Sequence, residues 1–436
     1  MKVILQNVRG FEGTHEFEVR PLTILIGENS SGKTTLLASI FAVLNGDFPT
    51  AENLFNRAPF ELGSFDTIAT YRGGKFGRAE SFTIAWEDTK NGITESIKAK
   101  FVSDRGVPRL NQIAVQNELG VLNGQVTNDL AEFQFTLQVT TRRNPDSGVE
   151  GRKKTIKLNV NLNEEKSFKW QNLVHYYMTQ KNTKSGSREQ SEAEIFDALF
   201  RFSRNRSLRL KPHATALAPL RTRPKRTYDE LNEDFKPEGD HIPLVLERLL
   251  QKSKNTKSDE LDALHNFGVA SGLFEKVDVK RMGKQPSDPF QVRIKMKGPD
   301  ANLVDVGYGV SQSLPIVIDS IMAPKNEVLL VQQPEVHLHP KAQAALGDFF
   351  VDLASNSSKQ FVVETHSDYL IDRIRIAVAS RKISEDKVQL LYLERKGLDI
   401  KVHTLKLDSN GNITNAPVNY RDFFLQEEIK LMSRAS

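Results

Sequence analysis

Eight consecutive residues, Gly27-Glu28-Asn29-Ser30-Ser31-Gly32-Lys33-Thr34, carry the most specific chemistry in the chain. They fit the pattern G-x-x-x-x-G-K-[ST] without gaps. Gly27 and Gly32 let the backbone curl so that successive N–H groups face phosphate oxygens. A helix starting near Lys33 would add its positive N-terminal end. Lys33 supplies a point charge for β- and γ-phosphates, and the Thr34 hydroxyl can coordinate Mg²⁺. The expected cradle is Gly27, Asn29, Ser30, Gly32, Lys33, Thr34 and Thr35, with ATP and Mg²⁺ as its ligands.

Such a loop needs a buried strand before it and a helix after it, and the sequence offers both. Residues 22–26 (LTILI) are a continuous apolar run, the mark of a strand covered on both faces. Residues 33–45 read as a helix stopped by Asn45-Gly46. Further strands are expected at 2–5, 15–19, 80–87, 95–103, 133–141, 155–161, 327–331, 360–363, 388–393 and 400–404. The span 275–297 is also strand-like. Helices are expected at 193–203, 242–252, 258–272, 311–321, 340–354 and 367–380. A polar loop at 142–154 and a polar connector at 180–192 separate some of them. The order gives an α/β core split by an insertion. No heptad pattern or internal repeat runs through the chain.

Composition bounds the remaining possibilities. Lys+Arg is 60 against 55 Asp+Glu, a net charge of +5, so any nucleic-acid footprint must be local. Residues 201–226 supply one candidate: Arg201, Arg204, Arg206, Arg209, Lys211, Arg221, Arg223, Lys225 and Arg226, with no acidic residue among them. The competing reading is that these arginines pair with Asp229, Glu230, Glu233 and Asp234 or order the nucleotide site. Cysteine is absent, which excludes disulfides, thiolate metal sites and a cysteine nucleophile, and fits a reducing cytoplasm. No apolar run approaches the roughly 20 residues that span a bilayer, so no membrane partner is expected.

Four motifs together resemble a family. GENSSGKTT after LTILI is similar to the P-loops of the SMC/recombination-repair branch of ABC ATPases, and VILQNVRGFEG to their first strand and turn. VGYGVSQSLP (306–315) resembles their variant signature motif, VLLVQQPEVHLHP (328–340) their Walker B and D-loop, and ETHS (364–367) their switch-histidine loop. The stretch 218–243 is similar to standalone OLD-type ATPases of bacterial antiphage systems, such as those of Septu and PARIS, where the ATPase works with a separate nuclease or effector. No Toprim-like acidic cluster follows the ATPase motifs. The resemblance implies a head with a mixed sheet and no long coiled coil: one ATPase lobe at 1–100, an α+β insertion at 101–275, and a second lobe at 276–436. It also implies head-to-head pairing, with Gly309 and Ser311 of one copy meeting the nucleotide of another, and His366 sensing the γ-phosphate.

The sequence departs from that family at one place. The usual Walker B acidic pair, one residue for Mg²⁺ and one for the attacking water, is here Gln332 and Gln333. Glutamine can hydrogen-bond a water but cannot take its proton, and general-base help is worth about 10²–10⁴-fold. Slow hydrolysis is therefore expected unless Glu335 or Glu364 substitutes. His337 and His339 could also form a metal pair, but the D-loop resemblance accounts for both. Three functions remain open: an ATP-dependent scaffold for a defence effector, a DNA-binding repair ATPase, and a scaffold that binds ATP without turnover.

Overall fold

The computed structural model describes residues 1–139 apart from 47, 50, 52, 118, 119, 128 and 129. It further describes 152–161, 212–418 apart from 230–233, 254–257, 286 and 358, and residues 420 and 429. The expected connector at 180–192, the helix at 193–203, most of the 142–154 loop and Arg201 to Lys211 lie outside the described residues. The chain divides into two compact units, Met1–Glu18, Ala38–His213 and Gly397–Asp399 in one, and Val19–Leu37, Ala214–Lys396 and Ile400–Ser436 in the other.

The first unit is built on an antiparallel sheet. Its strands are β1 (Lys2–Val8), β2 (Phe11–Glu18), β4 (Ser81–Lys90), β5 (Ile93–Asp104), β6 (Val107–Asn117), β7 (Gly120–Thr127), β8 (Leu130–Val139) and β9 (Arg152–Asn161). They lie in the order β2-β1-β4-β5-β6-β7-β8-β9. One face is apolar: Phe82, Ile84 and Trp86 of β4 pack beside Ile97, Ala99 and Phe101 of β5, all buried. The rings of Phe82 and Phe101 stack with centroids 5.3 Å apart. Two-residue turns set the register. Asn91-Gly92 joins Lys90 to Ile93 and Arg105-Gly106 joins Asp104 to Val107, all four turn residues having positive φ. That is the turn whose twist matches paired strands.

The second unit is a parallel sheet with helices. Its strands are β3 (Leu22–Gly27), β10 (Ala214–Leu217), β14 (Val328–Gln332), β15 (Gln360–Glu364), β16 (Val388–Lys396) and β17 (Asp399–Leu405), of which residue 399 clusters with the first unit. The order is β10-β14-β15-β3-β16-β17. The first five run parallel. Every residue of β3 and β14 is buried, as two-sided burial of apolar runs requires. The helices with at least one turn in this unit are α1 (Lys33–Leu44), α3 (Ile242–Lys252), α4 (Asp259–Ser271), α5 (Tyr308–Met322), α6 (Pro340–Asn356) and α7 (Asp368–Ala379); the short α2 (Phe65–Ile68) belongs to the first unit. A small antiparallel sheet, β11 (Lys276–Arg281), β12 (Phe290–Lys295) and β13 (Ala301–Asn302), completes the unit. The fold is thus mixed α/β. Among the described residues no helix is long and apolar enough to cross a membrane.

The parallel register fixes where chemistry can gather. Gln332 pairs with Glu364, and Glu364 with Leu25, so the C-terminal ends of β14, β15 and β3 form one edge. Ligands of open parallel sheets bind outside that edge.

Candidate nucleotide site

The loop after β3 adopts backbone that its glycines permit. Gly27 has φ +148° and Gly32 φ +95°, and Ser30 between them has φ +61°. A Cβ on Gly27 would sit 2.3 Å from the Leu393 carbonyl oxygen of β16, so no other residue fits against that strand. Lys33 is 3% exposed. Its Nζ donates to the carbonyls of Gly27 (2.9 Å) and Glu28 (2.7 Å), which folds the side chain back along the loop. The first turn of α1 holds no acidic residue. The positive end of its dipole therefore meets no carboxylate from its own first turn and favours an external anion. Burial lowers the Lys33 ammonium pKa, opposed by the charges of Glu364, Glu335 and Glu28.

Glu364 brings a carboxylate to the loop. It ends β15, the strand between β14 and β3, and is 5% exposed. The Thr34 hydroxyl donates toward both its carboxylate oxygens, at 3.2 and 3.1 Å. Burial raises the Glu364 pKa, opposed by the Lys33 charge and the Thr34 hydrogen bond and reinforced by Glu335. A hydroxyl and a carboxylate converging beside the loop are hard oxygen donors, the set Mg²⁺ prefers, so these residues fit that ion.

Gln332 and Gln333 occupy the end of β14. Gln332 is 5% exposed, its carbonyl accepts from Arg221 Nη2 (3.0 Å), and its Nε2 has no partner. Gln333 sits at φ +41°, and its N–H donates to the Glu364 carbonyl (2.8 Å). Glu335 Oε1 accepts from the His366 N–H (2.6 Å), while Oε2 is buried without a partner. Burial raises the Glu335 pKa against hydrogen bonds from the His366 and Glu335 backbone and the Thr365 side chain, and the Arg221 charge. Burial and the Lys33 charge lower the His366 pKa, favouring its neutral form. Thr34, Lys33, Gln332, Gln333, Glu335, Glu364 and His366 thus come together at one sheet edge.

The signature segment differs from expectation in where its helix starts. α5 begins at Tyr308, three residues before Ser311, with Gly307 as its N-cap. Ser311 is buried one turn in, and its Oγ donates to the Tyr308 carbonyl (3.0 Å). The N-terminal turn at Gly307 to Gly309 is what reaches the surface, and a Cβ on Gly309 would meet the His337 carbonyl oxygen at 3.3 Å. His337 has φ +65°, with its ring 5.9 Å from that of Tyr308. His339 caps α6, its Nδ1 accepting from the Lys341 N–H (3.3 Å). Among the described residues no group of three His, Cys, Asp or Glu is placed to hold a metal.

The basic segment splits. Arg223, Lys225 and Arg226 are exposed, and Arg226 forms a fork with Asp305 (3.0 and 2.6 Å). Arg221 is instead 7% exposed and tied to β14, so it cannot belong to a surface patch. Its role at the site was hidden in the sequence by eight basic neighbours in the same segment; the apolar residues before it, Ala216 to Leu220, were the available signal.

The profile of the AAA ATPase domain family (AAA_15) matches residues 1–211 and 153–371. The OLD nuclease of Thermus scotoductus is 20% identical over 385 residues, covering 86% of this chain and 61% of that protein. The DNA replication and repair protein RecF of Staphylococcus haemolyticus is 27% identical over 152 residues, 31% of this chain and 41% of that protein. The chain thus spans less than two thirds of the length of either relative. Among solved structures, an SMC head bound to the C-winged helix domain of ScpA gives a TM-score of 0.43 at 13% identity, covering 93% of this chain and 97% of that one. The SMC head domain from Thermotoga maritima gives 0.40 at 10% identity, covering 93% and 98%.

Proposed function

The chain belongs to the AAA ATPase domain family, and we propose that it binds Mg²⁺-ATP in the Gly27–Thr35 loop and pairs head to head when it does so. The observation that carries this reading is the Thr34–Glu364 contact. It supplies at β15 the carboxylate that β14 lacks. Backbone N–H groups of the loop and α1 hold the phosphates, Lys33 swings from its carbonyl partners to them, and Thr34, Glu364 and Gln332 hold the cation. Bound there, Mg²⁺ would neutralise phosphate charge during phosphoryl transfer. Glu364 and Glu335 are the carboxylates within the site that can take a proton from water, while Gln333 can only orient it. Glu364 is engaged by the Thr34 hydroxyl and Glu335 by the His366 N–H, so neither stands free as a base, and turnover is slow. The turn Gly307 to Gly309 at the start of α5 forms the surface offered to a second copy's nucleotide, with Ser311 buried one turn behind it.

In this reading the ATPase lobes are 1–100 and 276–436, with 101–275 inserted between them, and the assembled heads hold and release a separate effector of nuclease chemistry in antiphage defence in the cytoplasm. The similarity of 218–243 to OLD-type ATPases and the nuclease named among the relatives support it. A DNA-repair ATPase is the second reading, favoured by the exposed Arg223 and Lys225 and by the RecF match. The test is the mass of the purified chain with Mg²⁺-ATP, with and without duplex DNA, beside Lys33→Ala. Doubling of the mass with ATP alone, lost in Lys33→Ala, supports the scaffold. Turnover accelerated by DNA moves the repair reading ahead, and an unchanged mass sinks head pairing.

A further inference from the structure

Four buried polar atoms lie beside the nucleotide site without partners: Arg221 Nε and Nη1, Gln332 Nε2 and Glu335 Oε2. Three are donors and one is an acceptor, so the cluster has a surplus of N–H groups. Both side chains that carry those donors are more than nine-tenths buried, Arg221 at 7% and Gln332 at 5% exposed. Leaving such groups unpaired costs about 1–3 kcal/mol each, and more for a charged one. The cluster therefore asks for an acceptor-rich group.

We propose that Arg221 and Gln332 form a subsite for a tetrahedral phosphate, either the terminal phosphate of a bound triphosphate or the orthophosphate released from it. A guanidinium fork matches phosphate oxygens bidentately, and one arm, Nη2, is already fixed on the Gln332 carbonyl, which orients the other nitrogens. Glu335 links this corner to the P-loop: its charge is felt by both Lys33 and Arg221, so it lies near each of the two cations. Burial brings the Arg221 guanidinium down to about 10, still fully charged at neutral pH. It also raises the Glu335 pKa, against the Arg221 charge. Glu364 is the other carboxylate at this edge, and Thr34 engages it. The inference rests on the reading of the chain as a nucleotide binder.

The experiment measures equilibrium affinity for ADP and for a non-hydrolysable ATP analogue in the full chain, in Arg221→Met, in Arg221→Lys and in Lys33→Ala. A second arm measures radiolabelled orthophosphate retained in the presence of ADP. If the subsite takes the terminal phosphate, Arg221→Met loses about tenfold or more for the triphosphate and keeps its ADP affinity. If it takes released phosphate, triphosphate affinity holds and orthophosphate retention falls by a similar factor. Unchanged values in both arms would mean that water fills the corner and would overturn the subsite. Equal loss of ADP and triphosphate would make Arg221 purely structural. If Arg221→Met fails to fold by thermal melting, Arg221→Lys, which keeps the charge but loses the fork, carries the same comparison. A wild-type chain that binds neither nucleotide, or a Lys33→Ala chain that binds both, would instead overturn the nucleotide reading.

Discussion

Glu364 is a carboxylate that the fold works against. It is buried at the end of β15, its pKa is raised, and its stabilising partners are the Thr34 hydroxyl and the Lys33 charge. A carboxyl whose folded pKa lies above its unfolded value weakens the fold as pH rises. The penalty is absent below the ordinary glutamate range, grows through the window up to the folded value, and is complete above it. Glu364→Gln removes the charge. We expect the variant to melt above the wild type at pH 8, and the gap to close as pH falls from the raised folded value down to the ordinary glutamate range. A wild type that melts higher at pH 8 would show that Lys33 and Thr34 outweigh the desolvation of the carboxylate. Stability lost at a site in this way is what function commonly costs. At this scale the sequence was legible for Lys33 and Thr34, because one spacing rule names both. It was not legible for Arg221, because whether an arginine is buried depends on strand order.

Strands and helices that bury both faces announce themselves. The runs LTILI, EVLLV and QFVV became β3, β14 and β15 within a residue or two of the expected bounds. The strands β6, β7 and β10 had no such signal. β6 carries Pro108 and β7 is interrupted by Asn123, Gly124 and Gln125, and each pairs on both sides because only two residues separate it from the strand before and the strand after. β10 is four residues long and owes its place to a parallel neighbour over 100 residues away, at Val328 to Val331. The start of α5 was missed because glycine at 307 and 309 reads as loop, yet Gly307 serves as a cap and Gly309 lies against the His337 backbone. At the end of β14 the glutamine pair makes a prediction of its own. Gln333→Glu supplies a general base at the end of β14, and ATP turnover should rise by about 10²-fold or more in a phosphate-release assay. No rise would mean that Glu335 or Glu364 already does the proton transfer.

The two compact units divide the labour that the sequence could only sketch. Every residue of the candidate site from Gly27 to Thr35, with Gln332, Gln333, Glu335, Glu364 and His366, falls in the second unit, although it draws on chain from both ends. The first unit gathers an antiparallel sheet from the N-terminus and the middle of the chain. The α/β class was readable from the alternation of buried runs and helices, whereas the extent of the antiparallel sheet was not, because half-polar strands lack a strong period. The central claim for the whole protein is that Glu364 supplies the charged cation ligand that the neutral amide of Gln332 cannot be. The measurement is ATP affinity of the full chain as a function of Mg²⁺ concentration, by calorimetry, for wild type and Glu364→Gln. We predict that Mg²⁺ strengthens ATP binding to the wild type and that the gain falls about tenfold or more in Glu364→Gln, with metal-free binding unchanged. A Glu364→Gln chain that binds Mg²⁺-ATP as the wild type does would contradict the account.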